Sequence, residues 1–252
     1  MNEPAGNLAE VFSSVQGEGL AIGLRQLFIR FAGCNLRCCY CDTPQALEPL
    51  LTFRWERPWA SGRFREQPNP IAAPELVERL EPAFAGPREH HSIALTGGEP
   101  LLQIEFLKAL LDGLAPLDVP LYLETNGTLP EALRRVVDRF WMVAMDVKLP
   151  SAGGQEPRWE EHRAFLEVLK GHRFFVKVVI TPGTRPEDVE RLEELLAGRA
   201  DVPVVLQPAT ALKPEAAKKV PLKLLLRLQA RLARAFNDVR VIPQIHPVLG
   251  LR

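Results

Sequence analysis

Short apolar runs ending in glycine or a polar residue alternate with longer stretches of helical spacing, about six times over, and that alternation leaves few architectures open. The runs at 27–32, 92–96, 120–125, 142–147, 174–180 and 202–207 read as strands, with a last short one at 239–242. Helical periodicity covers 74–84, 103–114, 130–140, 159–170, 186–196 and 218–236, and Pro74 is acceptable as a first helical residue. Repeated strand–helix units with right-handed crossovers build a parallel sheet that curls. The expected fold is therefore α/β, a partial or modified (βα)6 TIM-like barrel forming one domain over 1–252. The segment 44–70, which holds Arg54, Trp55, Arg57, Trp59, Arg63 and Arg65, has no clean period and is expected to be an irregular cover or a mobile insertion.

Charge argues against several classes of function. Lys+Arg and Asp+Glu each number 31, and no basic run stands out. A protein that wraps nucleic acid carries a basic excess, so a small-molecule substrate and no direct nucleic-acid partner are expected. No stretch approaches the roughly 20 apolar residues that span a bilayer, and the first ten residues are polar and acidic. The expected location is the cytoplasm, with no membrane partner.

All four cysteines fall between Cys34 and Cys41. Disulfide scaffolds spread their cysteines to staple distant loops, whereas bridges here would close only tiny, strained rings. The gaps Cys34–x3–Cys38–x2–Cys41 can set three thiolates on three corners of one iron–sulfur cube, leaving the fourth iron open to a chelating small molecule. A zinc site completed by a remote histidine such as His90 or His246 is the alternative. Cys39 fits no ligand position in this spacing.

Barrel chemistry collects at the C-terminal ends of strands, and several ends here carry unusual polar residues. They are Thr96-Gly97-Gly98-Glu99-Pro100, Glu124-Thr125-Asn126-Gly127-Thr128, Asp146-Val147-Lys148 and Gln207-Pro208. The paired glycines suggest close approach of a ligand to backbone. His90, His91, His162 and His172 are expected to be solvated.

The cysteine spacing, with Tyr40 before the last thiol, resembles the C-x3-C-x2-C signature of the radical S-adenosylmethionine (SAM) superfamily, and 97–100 is similar to its G-G-E-P element. The resemblance implies a [4Fe–4S] cluster on Cys34, Cys38 and Cys41, SAM chelated at the open iron, and reductive cleavage to a 5′-deoxyadenosyl radical. It further implies that Tyr40, Gly97, Gly98, Glu99, Glu124, Asn126, Asp146, Lys148 and Gln207 meet the cofactor.

Upstream, the run from Glu10 to Gly19 (EVFSSVQGEG) resembles the E-x-F-x-S-x-Q-G-E-G opening of the 7-carboxy-7-deazaguanine synthase family, and Arg30, Gly33-Cys34 and Cys41-Asp42-Thr43 continue that pattern. Such an enzyme is a carbon–nitrogen lyase. It converts 6-carboxy-5,6,7,8-tetrahydropterin to 7-carboxy-7-deazaguanine, releasing ammonia, on the route to queuosine and other 7-deazapurines. By this resemblance Val15, Gln16, Gly17, Glu18, Arg30, Thr96, Gln244 and His246 meet the substrate, with Arg30 on its carboxylate, and Thr43 ligates Mg2+. A homodimer and a flavodoxin- or ferredoxin-type reductant are also implied. A glycyl-radical activating enzyme and a non-enzymatic iron–sulfur electron carrier are the competing readings.

Overall fold

The computed structural model describes residues 3–87, 89–210, 219–246 and 248–250. Its strands are β1 (Ala5–Gly6), β2 (Leu8–Val15), β3 (Arg25–Phe31), β4 (Thr52–Glu56), β5 (Phe64–Pro68), β6 (Ile71–Ala72), β7 (Ser92–Gly97), β8 (Leu121–Thr125), β9 (Met142–Asp146), β10 (Phe174–Ile180), β11 (Val204–Pro208) and β12 (Val239–Val241). Among the described residues seven α-helices intervene: α1 (Ala73–Leu80), α2 (Ile104–Leu114), α3 (Pro130–Arg134), α4 (Pro150–Gly153), α5 (Trp159–Val168), α6 (Pro186–Leu195) and α7 (Leu222–Leu232). Position 218, the expected start of the last helix, lies outside the described residues.

Ten strands form one sheet in the order β12-β11-β10-β9-β8-β7-β3-β2-β4-β5, and β1 pairs with β6 beside it. From β12 to β3 every neighbour is parallel, as strand–helix repeats require. The sheet is open, running from β12 at one edge to β5 at the other, so the barrel is partial. Strands such as Phe174–Ile180 are β-branched and aromatic because both faces are buried. Helices cover the outer face; α2 contributes Phe106, Leu107, Leu110, Leu111 and Leu114, and α7 contributes Leu225, Leu228 and Leu232. A second apolar layer lies on the inner face: Phe12, Phe28, Ala94, Tyr122, Ala144, Phe175 and Val205, one from each strand between β2 and β11.

Three expectations need correction. The 44–70 segment is not irregular: β4 and β5 form an antiparallel hairpin, and β4 adds in parallel to β2. Phe53 and Trp55 pack into the core beneath the helices while Arg54 takes the opposite, cavity-lining face, a period-two pattern too short to stand out among charges. Glu56 anchors the hairpin by accepting from Ser13 N at 2.8 Å and Gly62 N at 2.7 Å. The helix expected over 130–140 stops at Arg134, because the chain turns to bury Val136 and Val137. His90 and His162 are buried rather than solvated, held by Ser13 Oγ at 2.9 Å and Asn126 O at 3.1 Å.

Candidate functional site

Side chains repeat every second residue on one face of a strand, so whatever lies two positions beyond the inner apolar layer forms a tier above it. That tier is polar. Ala94 is followed by Thr96, Tyr122 by Glu124, Ala144 by Asp146, Phe175 by Lys177 and Val205 by Gln207. Phe28 is followed by Arg30, and on the reversed strand β2 Glu10 stands two before Phe12. All of these tier residues line a cavity of about 510 Å3 whose floor includes Phe12, Phe28, Tyr122, Ala144 and Phe175.

The cysteine loop closes one side of this cavity. Cys34, Cys38 and Cys41 line it, together with Tyr40, Asp42 and Thr43. Cys39 is exposed on the other side of the loop, with Sγ 3.3 Å from Ala152 O. Burial pushes the Cys34 and Cys38 thiols up, so thiolates here need a cation as partner. Gln155 Nε2 meets Cys38 Sγ at 2.8 Å, and Thr43 Oγ1 lies 3.9 Å from Cys41 Sγ. His90, one of the histidines that could complete a zinc site, is held by Ser13 Oγ and does not line the cavity. Three thiols spread around one wall suit a cluster.

The strand-end groups are tied to one another. Asp146 Oδ2 pairs with Lys148 Nζ at 2.9 Å and with Lys177 Nζ at 3.2 Å, and Lys177 also donates to Glu18 Oε2 at 2.5 Å. Burial pushes the Glu18 carboxyl up, but the Lys177 charge and hydrogen bonds from Lys177, Gln244 and Gln207 outweigh it and bring it to about 2. Both lysines stay firmly cationic despite burial, Lys148 through Asp146 and Lys177 through Glu18 and Asp146. Glu124 is pushed up by burial and by the charge of Glu18; it accepts from Thr96 Oγ1 at 2.6 Å and Gln16 Nε2 at 2.8 Å. Lys148 Nζ also lies 5.4 Å from the centre of the Tyr40 ring.

Several expected residues also brace the chain; of these Gly97, Gly98, Gln16 and Arg30 line the cavity. The Gly97 and Gly98 backbones pack against the chain itself: a Cβ on Gly98 would stand 2.1 Å from Gly33 O, and one on Gly97, at φ +120°, 2.3 Å from Phe31 O. Glu99 is wholly buried and does not line the cavity; its carboxylate accepts from Thr125 Oγ1, Asn126 N and Leu101 N. Burial raises it to about 7 in spite of those bonds. It thereby fixes the loop in which Asn126 reaches Asn35 Oδ1 at 2.9 Å and the neighbourhood of Cys34 Sγ at 4.0 Å. The Gln16 amide is committed to Gln26, Glu124 and Glu18 N, so its side chain supports the wall. Arg30 already pairs with Glu10 at 2.9 Å, yet still lines the cavity.

Val15 and Gly17 line the cavity mouth, and the chain end folds over it. Gln244 Nε2 donates to Glu18 Oε1 at 2.5 Å and to Asp42 Oδ2 at 2.7 Å. Ile245 N donates to Gly17 O at 3.0 Å, and a Cβ on Gly17 would fall 2.7 Å from His246 Nδ1. Lys177, Glu10 and Arg54 were not expected at the site. A single lysine inside the otherwise apolar run FFVKVVI was the signal available for Lys177.

Three buried polar atoms of the cavity wall have no protein partner among the described residues: Tyr40 Oη, Asp146 Oδ1 and Gln207 Oε1. Such atoms are costly unless a polar ligand completes them. Their position beside three thiols is where a SAM-sized polar molecule would meet a cluster, so the residues present fit both groups.

Comparison with known proteins agrees with this geometry. Residues 28–197 match the family model of the radical SAM superfamily. A 7-carboxy-7-deazaguanine synthase of Geobacter sulfurreducens is 42% identical over 252 residues, covering 99% of each chain. One from Methanothermobacter thermautotrophicus is 36% identical over 97% of each. Among solved structures, QueE from Escherichia coli aligns with a TM-score of 0.57 at 22% identity, over 93% of this chain and 92% of that one. A radical SAM methyltransferase from Sphaerobacter thermophilus gives 0.60 at 14% identity, over 93% and 77%; both likenesses concern the fold. With its thiols, polar tier and near full-length relatives in agreement, the chain belongs to the radical SAM superfamily and, within it, to the 7-carboxy-7-deazaguanine synthase family.

Proposed function

We propose that this chain converts 6-carboxy-5,6,7,8-tetrahydropterin to 7-carboxy-7-deazaguanine with loss of ammonia. The observation that carries the reading is a single cavity with three thiols on one side and the Val15–Glu18 turn, Arg30 and Thr96 on the other. Its volume of about 510 Å3 suits small molecules.

The [4Fe–4S] cluster and SAM, when bound, supply hydrogen-atom abstraction; the protein supplies binding, orientation and a dry wall. Cys34, Cys38 and Cys41 hold the cluster, and Tyr40, Asp146, Lys148, Asn126 and Gln207 lie where they meet the cofactor. Val15 and Gly17 offer backbone groups to the pterin ring, while Thr96 and Arg30 face it. Glu124, raised by burial and facing the cavity, is suited to take up a proton there; doing so at Oε2 would turn the Thr96 hydroxyl from donor to acceptor. Glu18, Asp146, Lys148 and Lys177 form a fixed charge network that needs no reorganisation during reaction. Thr43, beside Cys41 and the Asp42–Gln244 contact, is the residue we assign to Mg2+, with the remaining positions taken by water and substrate oxygens.

We further infer one catalytic domain over 1–252, acting as a homodimer in the cytoplasm, with a flavodoxin or ferredoxin as electron donor. Among the described residues no helix is long and apolar enough to cross a membrane. The test is an anaerobic incubation with 6-carboxytetrahydropterin, SAM, reductant and Mg2+, followed by mass analysis. The deazaguanine acid is expected; cleavage of SAM without it would refute the substrate, and no cleavage at all would refute the chemistry and favour an electron carrier.

A further inference from the structure

We propose that Arg54, on the β4–β5 hairpin, is the second arm of a carboxylate clamp and makes the cavity selective for a pterin that carries an acid; this rests on the substrate reading above. Strand register carries the argument. Arg54 on β4 stands opposite Glu10 on β2, Glu10 opposite Arg30 on β3, and Arg30 opposite Thr96 on β7. Residues in register across neighbouring strands share a face. The four form one row along the cavity wall, and all four line the cavity.

Within the row Glu10 is shared. Arg30 Nε reaches its Oε1 at 2.9 Å, and Arg54 Nη1 lies 3.9 Å from its Oε2. Glu66 on β5 continues the register beyond Arg54 but does not line the cavity, so the members that do present two guanidiniums and one carboxylate. Arg30 and Glu10 alone would offset each other, so the excess charge that an incoming carboxylate meets depends on Arg54. Its guanidinium is held over the Phe64 ring at 4.2 Å, and that ring belongs to the other strand of the hairpin. The Phe64 ring thus supports the Arg54 guanidinium, with 36% of its side chain left accessible. A planar fork facing the cavity is the geometry that binds a carboxylate through paired N–H groups. The hairpin thus contributes to substrate choice as well as extending the sheet.

Equilibrium dialysis of the reconstituted, SAM-loaded protein provides the test, with 6-carboxytetrahydropterin and its neutral 6-carboxamide as probes. A partly exposed, charge-assisted hydrogen bond is worth about tenfold in affinity. Arg54→Gln is expected to weaken the acid about tenfold and to change the carboxamide by less than about twofold, with Arg54→Lys in between. Arg54→Met, which keeps the aliphatic stem over Phe64, replaces the Gln variant if that one does not fold. Equal weakening of both probes would reduce Arg54 to a structural role, and undiminished binding of the acid would remove it from the site; either result overturns the clamp while leaving the substrate reading intact. A wild-type protein that neither binds nor converts the acid overturns both.

Discussion

Replacing Lys177 by methionine isolates what the buried charge network contributes. Lys177 stands 2.5 Å from Glu18 and 3.2 Å from Asp146, and the three side chains are only 13%, 14% and 11% exposed. Glu18 is held near 2 instead of 4.5. At about 1.4 kcal/mol per pH unit, that gap corresponds to ~3 kcal/mol, the range expected on breaking a buried ion pair. For a chain of this length each kcal/mol moves Tm by about 2–4 °C, so the variant should melt roughly 6–12 °C lower at pH 8. The pH dependence gives the sharper signature. In the wild type Glu18 titrates near 2 and adds no slope between pH 5.5 and 8. In the variant burial is no longer outweighed, and Asp146 and Glu124 stand close by, so the folded carboxyl rises above its unfolded value. A raised acid destabilises the fold at high pH and is relieved on protonation, so the deficit should shrink toward pH 5.5. Adding Glu18→Gln to Lys177→Met should recover about half the loss. Scanning calorimetry of anaerobically reconstituted protein reads all three quantities. A deficit below ~1 kcal/mol that is the same at both pH values and unaffected by Glu18→Gln would refute the account.

The remaining predictions concern the cluster side. Glu99 is raised from 4.5 to about 7, so the wild type should lose up to ~3 kcal/mol of stability as pH rises across that window, with no further slope above it. Glu99→Gln should flatten that profile in thermal melts at stepped pH. Gly98→Ala drives a Cβ to 2.1 Å from Gly33 O, against backbone that cannot yield cheaply; little soluble protein, or a Tm more than about 10 °C lower, is expected. Cys41→Ala should lose the broad absorbance near 400 nm (roughly, for thiolate-to-iron charge transfer) after reconstitution, and Cys39→Ala should keep it. Equal loss in both would overturn the ligand assignment.

Local sequence revealed what local forces decide. The strand Phe174–Ile180 was legible to the residue because burial on both faces demands a continuous apolar, β-branched run. The three-thiol wall was legible because its members lie within one short loop. Features whose partners are distant in sequence were not. Lys177 makes sense only beside Glu18, 159 residues away, and Arg54 only beside Glu10 and Arg30 on other strands. The β4–β5 hairpin was read as irregular because β4 pairs with β2, across the whole cysteine loop. His162 looked like a surface residue until the Asn126 carbonyl gave it an internal partner. Local spacing also could not show that the same motif braces the chain: Glu99 holds the Thr125–Asn126 turn, while Gly97 and Gly98 pack against Phe31 and Gly33 and still line the cavity.

Strand β3 is a seam, running parallel to β7 on one flank and antiparallel to β2 on the other. Cys34, Cys38 and Cys41 follow it directly in the chain; Asn126, Asp146, Lys148 and Gln207 sit at the ends of the parallel strands, while Glu10 and Arg54 sit on the opposite flank. The antiparallel flank thus adds the Glu10–Arg54 pair to a pocket whose other substrate-facing groups, Thr96 and Arg30, lie on β7 and on the seam itself. Because β4 and β5 lie at the edge of the sheet, engineered libraries confined to them should alter what meets Arg54 while leaving the cysteine loop untouched.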